Sequence, residues 1–140
     1  MKISARNILA GKVDQVIKGA VNSEVDLTLE GGQKIVAVIT NVSAEALGLK
    51  TGLSAFAIVK ANEVIVGKGA ESGKFSARNV LAGKVSNVDD GAVSSEVSIA
   101  LAGGSEVVAT ITKSSVVALD LKAGDSVSAI IKASNVILGV

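Results

Sequence analysis

One stretch of sequence occurs twice in this chain of 140 residues. Ser4-Ala5-Arg6-Asn7-Ile8-Leu9-Ala10-Gly11-Lys12-Val13 returns as Ser76-Ala77-Arg78-Asn79-Val80-Leu81-Ala82-Gly83-Lys84-Val85, and the offset of 72 holds without a gap to Val140. Laying 3–68 over 75–140 gives 37 identities in 66 positions. Between the copies, Gly69-Ala70-Glu71-Ser72-Gly73-Lys74 is polar and glycine-bearing, the composition of a short linker. The chain therefore reads as a duplicated small domain, 1–68 and 75–140, joined by 69–74.

Within each copy the pattern is β. Around Val13, Val16, Val25, Leu27 and Leu29, apolar residues alternate with polar ones, as a half-buried strand requires. Gly31-Gly32 is a hairpin signal. Ile35 to Thr40 is β-branched and nearly continuous, which predicts burial on both faces. Ser43 to Leu49 is the one stretch suited to a helix, short, capped by Ser43 and closed near Gly48. A last long strand is expected from Leu53 to about Val66. With the long first strand bent at Gly11 or Gly19 and counted twice, the order fits an all-β chain of tandem OB-like five-stranded barrels, each with one short helix.

A unit of this size buries too little surface to be comfortable alone. Oligomerisation is the remedy open to it, with strand apolarity becoming interface.

Composition removes much chemistry. Cys, His, Pro, Trp and Tyr are all absent. No disulfide, thiolate nucleophile, Ser-His-Asp triad, zinc site of ordinary ligands or axially ligated haem is available. A net charge of +1, from 14 basic and 13 acidic residues, does not suit a polyanion binder. Half the residues are apolar, yet the longest uncharged stretch, Ile35 to Ala44, is far short of the roughly 18 a spanning helix needs. The charged start, Met1-Lys2-Ile3-Ser4-Ala5-Arg6, lacks the apolar segment of a secretory leader. The expectation is a soluble, cytoplasmic protein without membrane or nucleic-acid partners, and not an enzyme. Glu24 and Glu96 recur, but a single carboxylate per copy lacks the partner that acid–base catalysis needs, and a repeated ion pair is the better reading.

Polar residues kept in both copies include Ser4/Ser76, Arg6/Arg78, Asn7/Asn79, Ser23/Ser95, Thr40/Thr112, Ser43/Ser115 and Lys60/Lys132. Forked guanidinium donors, ammonium charges and rotatable hydroxyls, with free backbone N–H groups at turns, suit an oxyanion.

Ser-Ala-Arg-Asn-x-Leu-x-Gly-x-Val, then Gly19-Ala20-Val21-Asn22-Ser23-Glu24-Val25, Ile39-Thr40-x-x-Ser43 and Ile58-Val59-Lys60-Ala61-Asn62-x-Val64-Ile65 closely resemble the Mop domain. The second copy repeats the set, ending in Ile131-Lys132-Ala133-Ser134-Asn135-Val136-Ile137-Leu138. The chain resembles a two-domain member of the molbindin family of molybdate-binding proteins. The resemblance implies non-covalent binding of molybdate, with tungstate as analogue, for molybdenum storage or homeostasis. No metal is coordinated directly. It also implies a homo-oligomer, a trimer in which two-domain chains mimic a hexamer of single domains, with sites at inter-domain and inter-subunit contacts. Carried over by position, Ser4, Arg6, Thr40, Ser43, Lys60, Ala61 and Asn62 form one donor set. Ser76, Arg78, Thr112, Ser115, Lys132, Ala133 and Ser134 form the other. A further class of site near the threefold axis is implied for the backbone of Ala20, Val21 and Asn22 and of Ala92, Val93 and Ser94.

The copies differ where Asn62 faces Ser134 and Lys18 faces Asp90, so their affinities are expected to differ. Two other readings stand beside this one. A molybdopterin carrier needs a stacking or long hydrogen-bonding pocket. Single-stranded nucleic-acid binding needs aromatic platforms, and Phe56 and Phe75 are the only aromatics.

Overall fold

The computed structural model describes residues 1–140. The first repeat runs β1 (Asn7–Lys18), β2 (Asn22–Leu29), β3 (Lys34–Thr40), α1 (Asn41–Ala46), β4 (Ser54–Val59), a 3-10 turn (Ala61–Glu63) and β5 (Ile65–Gly67). The second runs β6 (Asn79–Asp90), β7 (Ser94–Leu101), β8 (Glu106–Thr112), α2 (Lys113–Ala118), β9 (Ser126–Ile131), a 3-10 turn (Ala133–Asn135) and β10 (Ile137–Gly139). The chain is all-β, as the alternation predicts: β2 buries Ser23, Val25, Leu27 and Leu29 and turns the residues between them outward.

The strands form two antiparallel five-stranded sheets, ordered β10-β4-β1-β2-β3 and β5-β9-β6-β7-β8. Each curls into a half-barrel, bringing outer strands β3 and β10, and likewise β8 and β5, into contact. The fifth strand of each sheet comes from the other repeat. Ile137, Leu138 and Gly139 pair with Ile58, Ala57 and Phe56, and Ile65, Val66 and Gly67 pair with Ile130, Ala129 and Ser128. The boundaries 1–68 and 75–140 therefore describe the sequence repeats but not the sheets. The long final strand expected from Leu53 to Val66 is broken at Lys60, because the 3-10 turn carries the chain from one sheet to the other. Nor is the first strand counted twice. β1 is continuous, with its irregularity between Val13 and Gln15 rather than at Gly11 or Gly19.

Three local expectations need adjusting. The cap of α1 is Thr40, whose Oγ1 accepts from the Ser43 amide at 3.1 Å, so Ser43 stands in the first turn rather than before it. Thr112 and Ser115 repeat the arrangement. On β3 only Ile35 and Ala37 are fully buried, since its other face is covered in part by the second repeat. Finally, the repeats do not have separate cores. Leu9, Val25, Leu27 and Ile35 belong to one apolar cluster with Leu81, Val97, Ile99 and Val107, joined by Val66 and Leu138 of the exchanged strands. Sharing a core answers part of the small-domain problem within one chain.

Reciprocal contacts relate the repeats by an approximate twofold. Asn7, 1% exposed, donates from Nδ2 to the Val108 carbonyl at 2.9 Å and accepts from the Val108 amide at 2.7 Å. Asn79 treats Val36 identically, at 2.8 and 2.7 Å. Each carboxamide thus stands in for a peptide of a pairing strand. The hairpin tips meet as well: a Cβ on Gly31 would lie 2.5 Å from the Ala102 carbonyl, which only glycine permits.

Candidate functional site

Pairing of Asn7 with Val59 in the β1–β4 register brings the segment before β1 beside the residues after β4. Arg6 and Lys60 therefore emerge as neighbours, and the 3-10 turn at Lys60 presents Ala61 and Asn62 next to them. The result is a cleft of about 550 Å³ lined by Ser4, Arg6, Lys60, Ala61 and Asn62, floored by Ile3, Ile58 and Ile137, with Thr110 of the second repeat on its wall. No carboxylate lines it.

The second repeat builds its version through the matching register, Asn79 with Ile131. Ser76 and Lys132 line a cleft of about 390 Å³ together with Asn62, Glu63 and Asn135. Arg78, Ala133 and Ser134 are not in its wall.

The hydroxyl pair Thr40 and Ser43 lies elsewhere, in a cleft of about 470 Å³ shared with Ser134 of the second repeat. Correspondingly β8, which ends at Thr112 just before Ser115 and α2, packs on the first 3-10 turn. The donor sets expected by repeat are thus redistributed within one chain. Helix-start hydroxyls of one repeat approach the 3-10 turn of the other, because the exchanged strand carries that turn across. Except for buried Ala61 and Ala133 and half-buried Ser115, the carried-over residues are exposed in the single chain.

Both arginines are engaged across the repeats. Arg6 Nη1 donates to the two Glu96 oxygens at 2.6 and 2.8 Å, and Arg78 donates to Glu24 at 3.0 and 3.2 Å. Glu24 and Glu96 are therefore repeated ion-pair partners, and the hydrogen bond and charge of Glu24 raise the affinity of Arg78 for its proton. Arg6 keeps its Nε–H and Nη2 donors for another acceptor. No carboxylate lies within ion-pair distance of Lys60 or Lys132.

Ala20, Val21, Ala92 and Val93 sit on exposed turn tips, and Asn22 and Ser94 are the exposed first residues of the strands that follow. The Val21 and Val93 carbonyls accept from Asn41 and Lys113 at 2.8 and 2.9 Å. Behind the first tip is a small cleft of about 210 Å³ where Lys18 pairs with Glu45 at 2.8 Å, which lowers the Glu45 pKa. At the second tip, Asp90 instead accepts from Ser95 at 2.9 Å. A cleft of about 600 Å³ contains none of the carried-over residues and has Asp14 and Glu30 in its wall, a poor lining for an anion.

Thr110, Glu63 and Asn135 line the clefts without having been expected there. Each differs from its counterpart 72 positions away, so retention in both copies gave no signal for them.

Residues 3–66 and 76–138 each match the TOBE domain family. The chain is 41% identical over 140 residues to the molybdenum-pterin-binding protein MopA of Rhodobacter capsulatus, covering all of this chain and 53% of that protein. It is 42% identical to the molybdenum transport protein ModE of Azotobacter vinelandii, again over 140 residues and 52% of that protein. It thus spans about half the length of these relatives. Molybdenum-pterin-binding protein 2 of Clostridium pasteurianum is 47% identical over 66 residues, 97% of its length. Among solved structures, the cytoplasmic molybdate-binding protein ModG with molybdate bound superposes with a TM-score of 0.97 at 50% identity, covering 100% of this chain and 99% of that one. With both repeats matched and the fold shared along its full length, the chain belongs to the TOBE domain family.

Proposed function

We propose that this chain binds molybdate, and tungstate as its near-isostere, as an intact oxyanion held by hydrogen bonds. The observation that carries the reading is the cleft at Lys60, where Ser4, Arg6, Lys60 and Asn62 converge with no carboxylate in the lining. The likeness to a molybdate-bound ModG supports it. Molybdate at neutral pH is a tetrahedral dianion that only accepts hydrogen bonds. A lining rich in donors and free of carboxylates satisfies it, whereas a phosphate species still carrying a proton finds only neutral hydroxyl and carboxamide oxygens to accept it. An unmet buried polar group costs about 1–3 kcal/mol. Sulfate, equally deprotonated, is smaller, so donors spaced for molybdate hold it less well.

The donors are exposed in the single chain, so desolvating the anion requires a cover. A second chain supplies it: the protein assembles as a trimer of two-repeat chains. Exposed Ile137 and Ile8, aligned with Ile58 across β10, β4 and β1, give each chain apolar surface for such contact. The role is molybdenum storage or homeostasis in the cytoplasm, with no catalytic step. No helix is long and apolar enough to cross a membrane.

Titration calorimetry against molybdate, tungstate, sulfate and phosphate tests the reading. Heat with the first two only supports it. Binding of a free pterin without an oxyanion response favours the carrier suggested by the names of several relatives, and binding of oligonucleotide alone overturns it.

A further inference from the structure

Glu63 and Asn135 occupy equivalent positions in the two repeats, yet they face each other. Asn135 donates from Nδ2 to Glu63 Oε2 at 2.8 Å, on the approximate twofold that relates the repeats. A duplication that kept the same residue at both positions would have preserved the symmetry there. This chain breaks it with a carboxylate on one side only.

The break falls inside one of the two lysine clefts. They share four equivalent lining positions: Ser4 and Ser76, Ala5 and Ala77, Lys60 and Lys132, Ile137 and Ile65. They differ in charge. The Lys60 cleft holds Lys60, which has no carboxylate in the lining, and Arg6, whose charge is paired to Glu96 outside it. The Lys132 cleft holds one cation and carries the Glu63 carboxylate in the same wall, beyond ion-pair distance. Glu63 also takes up one N–H of Asn135, a residue of the same wall.

Resting on the oxyanion reading above, we propose that the two clefts are graded. The Lys60 cleft is the tight site, and Glu63 sets the Lys132 cleft as a weak one that fills only when the anion is abundant. A dianion entering the second cleft meets a fixed like charge and one donor fewer, and both effects act in the same direction. A store built this way responds over a wider range of concentration than two equal sites do.

The test is calorimetry with sodium molybdate on the full chain. The wild type shows two classes of site whose dissociation constants differ by about tenfold or more. Glu63→Gln keeps the shape of the side chain and one oxygen that can accept from Asn135, and removes its charge. It tightens the weak class by about tenfold and leaves the tight class in place. Glu63→Asn, the residue the second repeat carries at the matching position, does the same and covers the case in which the glutamine variant folds poorly. Lys60→Ala weakens the tight class by about ten- to a hundredfold, leaves the weak class in place, and so identifies it. A single class in the wild type overturns the grading, as does a weak class unmoved by both Glu63 variants. Absence of heat from every protein sinks the oxyanion reading instead, which keeps the two failures apart.

Discussion

The Asn7 carboxamide forms both hydrogen bonds of a strand-pairing peptide with Val108, a residue of the other repeat. The contact lies where the repeats share their core, and its mate joins Asn79 to Val36. Asn7→Ala strands a buried amide and a buried carbonyl, each at a cost of about 1–3 kcal/mol. Urea denaturation should show a loss of about 2–6 kcal/mol. Asn7→Asp should cost at least as much at neutral pH, because it buries a carboxylate with one oxygen facing the Val108 carbonyl, to which it cannot donate. A loss below about 0.5 kcal/mol for the alanine variant would mean that water replaces both bonds.

The two glycine hairpins give a controlled comparison. Gly103 and Gly104 both have positive φ, 85° and 95°, but a Cβ on Gly103 would collide with Gly31 while one on Gly104 meets open space. Gly104→Ala should cost about 1 kcal/mol for the backbone alone. Gly103→Ala should lower the thermal midpoint clearly further, since the hairpin tips must separate. Equal midpoints would show that the tips do not touch in solution.

Much of this was legible in the sequence, and the reason is physical. Strand identity follows from alternation at Val25, Leu27 and Leu29, and duplication from Ser4-Ala5-Arg6-Asn7. The strand exchange was not, because Ile65-Val66-Gly67 and Ile137-Leu138-Gly139 are nearly identical and their pattern does not say which sheet each joins; the path after Lys60 decides. Asn7 carried a readable signal: it is in phase with the inward Leu9, and a polar residue there must find a partner. The cap was readable too, as Thr40 stands three residues before Ser43. The pairing of Glu63 with Asn135 was not, since it depends on how the repeats meet rather than on either one.

Acid should weaken the anchoring of β5. Lys68, just beyond it, donates to Asp125 at 2.9 Å and to the Asp120 carbonyl at 2.8 Å. The Lys68 hydrogen bond, followed by the Lys122 backbone N–H, holds the Asp125 carboxyl below the ordinary carboxylate range. A folded pKa below the unfolded one gives stability that is complete above the ordinary range and is lost as pH falls through the lowered value. Asp120 and Glu45 shift in the same direction, through Lys122 and Lys18. Denaturation midpoints measured between neutral and acid pH should therefore fall less steeply for Asp125→Asn than for the wild type. Parallel curves would remove Asp125 from the account. The second repeat's β10 has no such clamp, since Val140 stands where Lys68 would.

Lys60 is exposed and free of any carboxylate, so its loss should leave the ligand-free fold intact. A hydrogen bond to a charged group contributes about 1.5–3 kcal/mol, so Lys60→Ala should weaken molybdate binding by about ten- to a hundredfold. The thermal midpoint without anion should stay unchanged while the upward shift on adding molybdate shrinks. An equal shift in variant and wild type would place the anion elsewhere.

Whether the anion sits among donors of both repeats is read directly by anomalous X-ray diffraction from crystals grown with molybdate, which locates the molybdenum atom. A peak is expected at the Lys60–Asn62 segment, within reach of second-repeat hydroxyls such as Thr110. Peaks confined to the cleft at Asp14 and Glu30, or none at saturating molybdate, would contradict it.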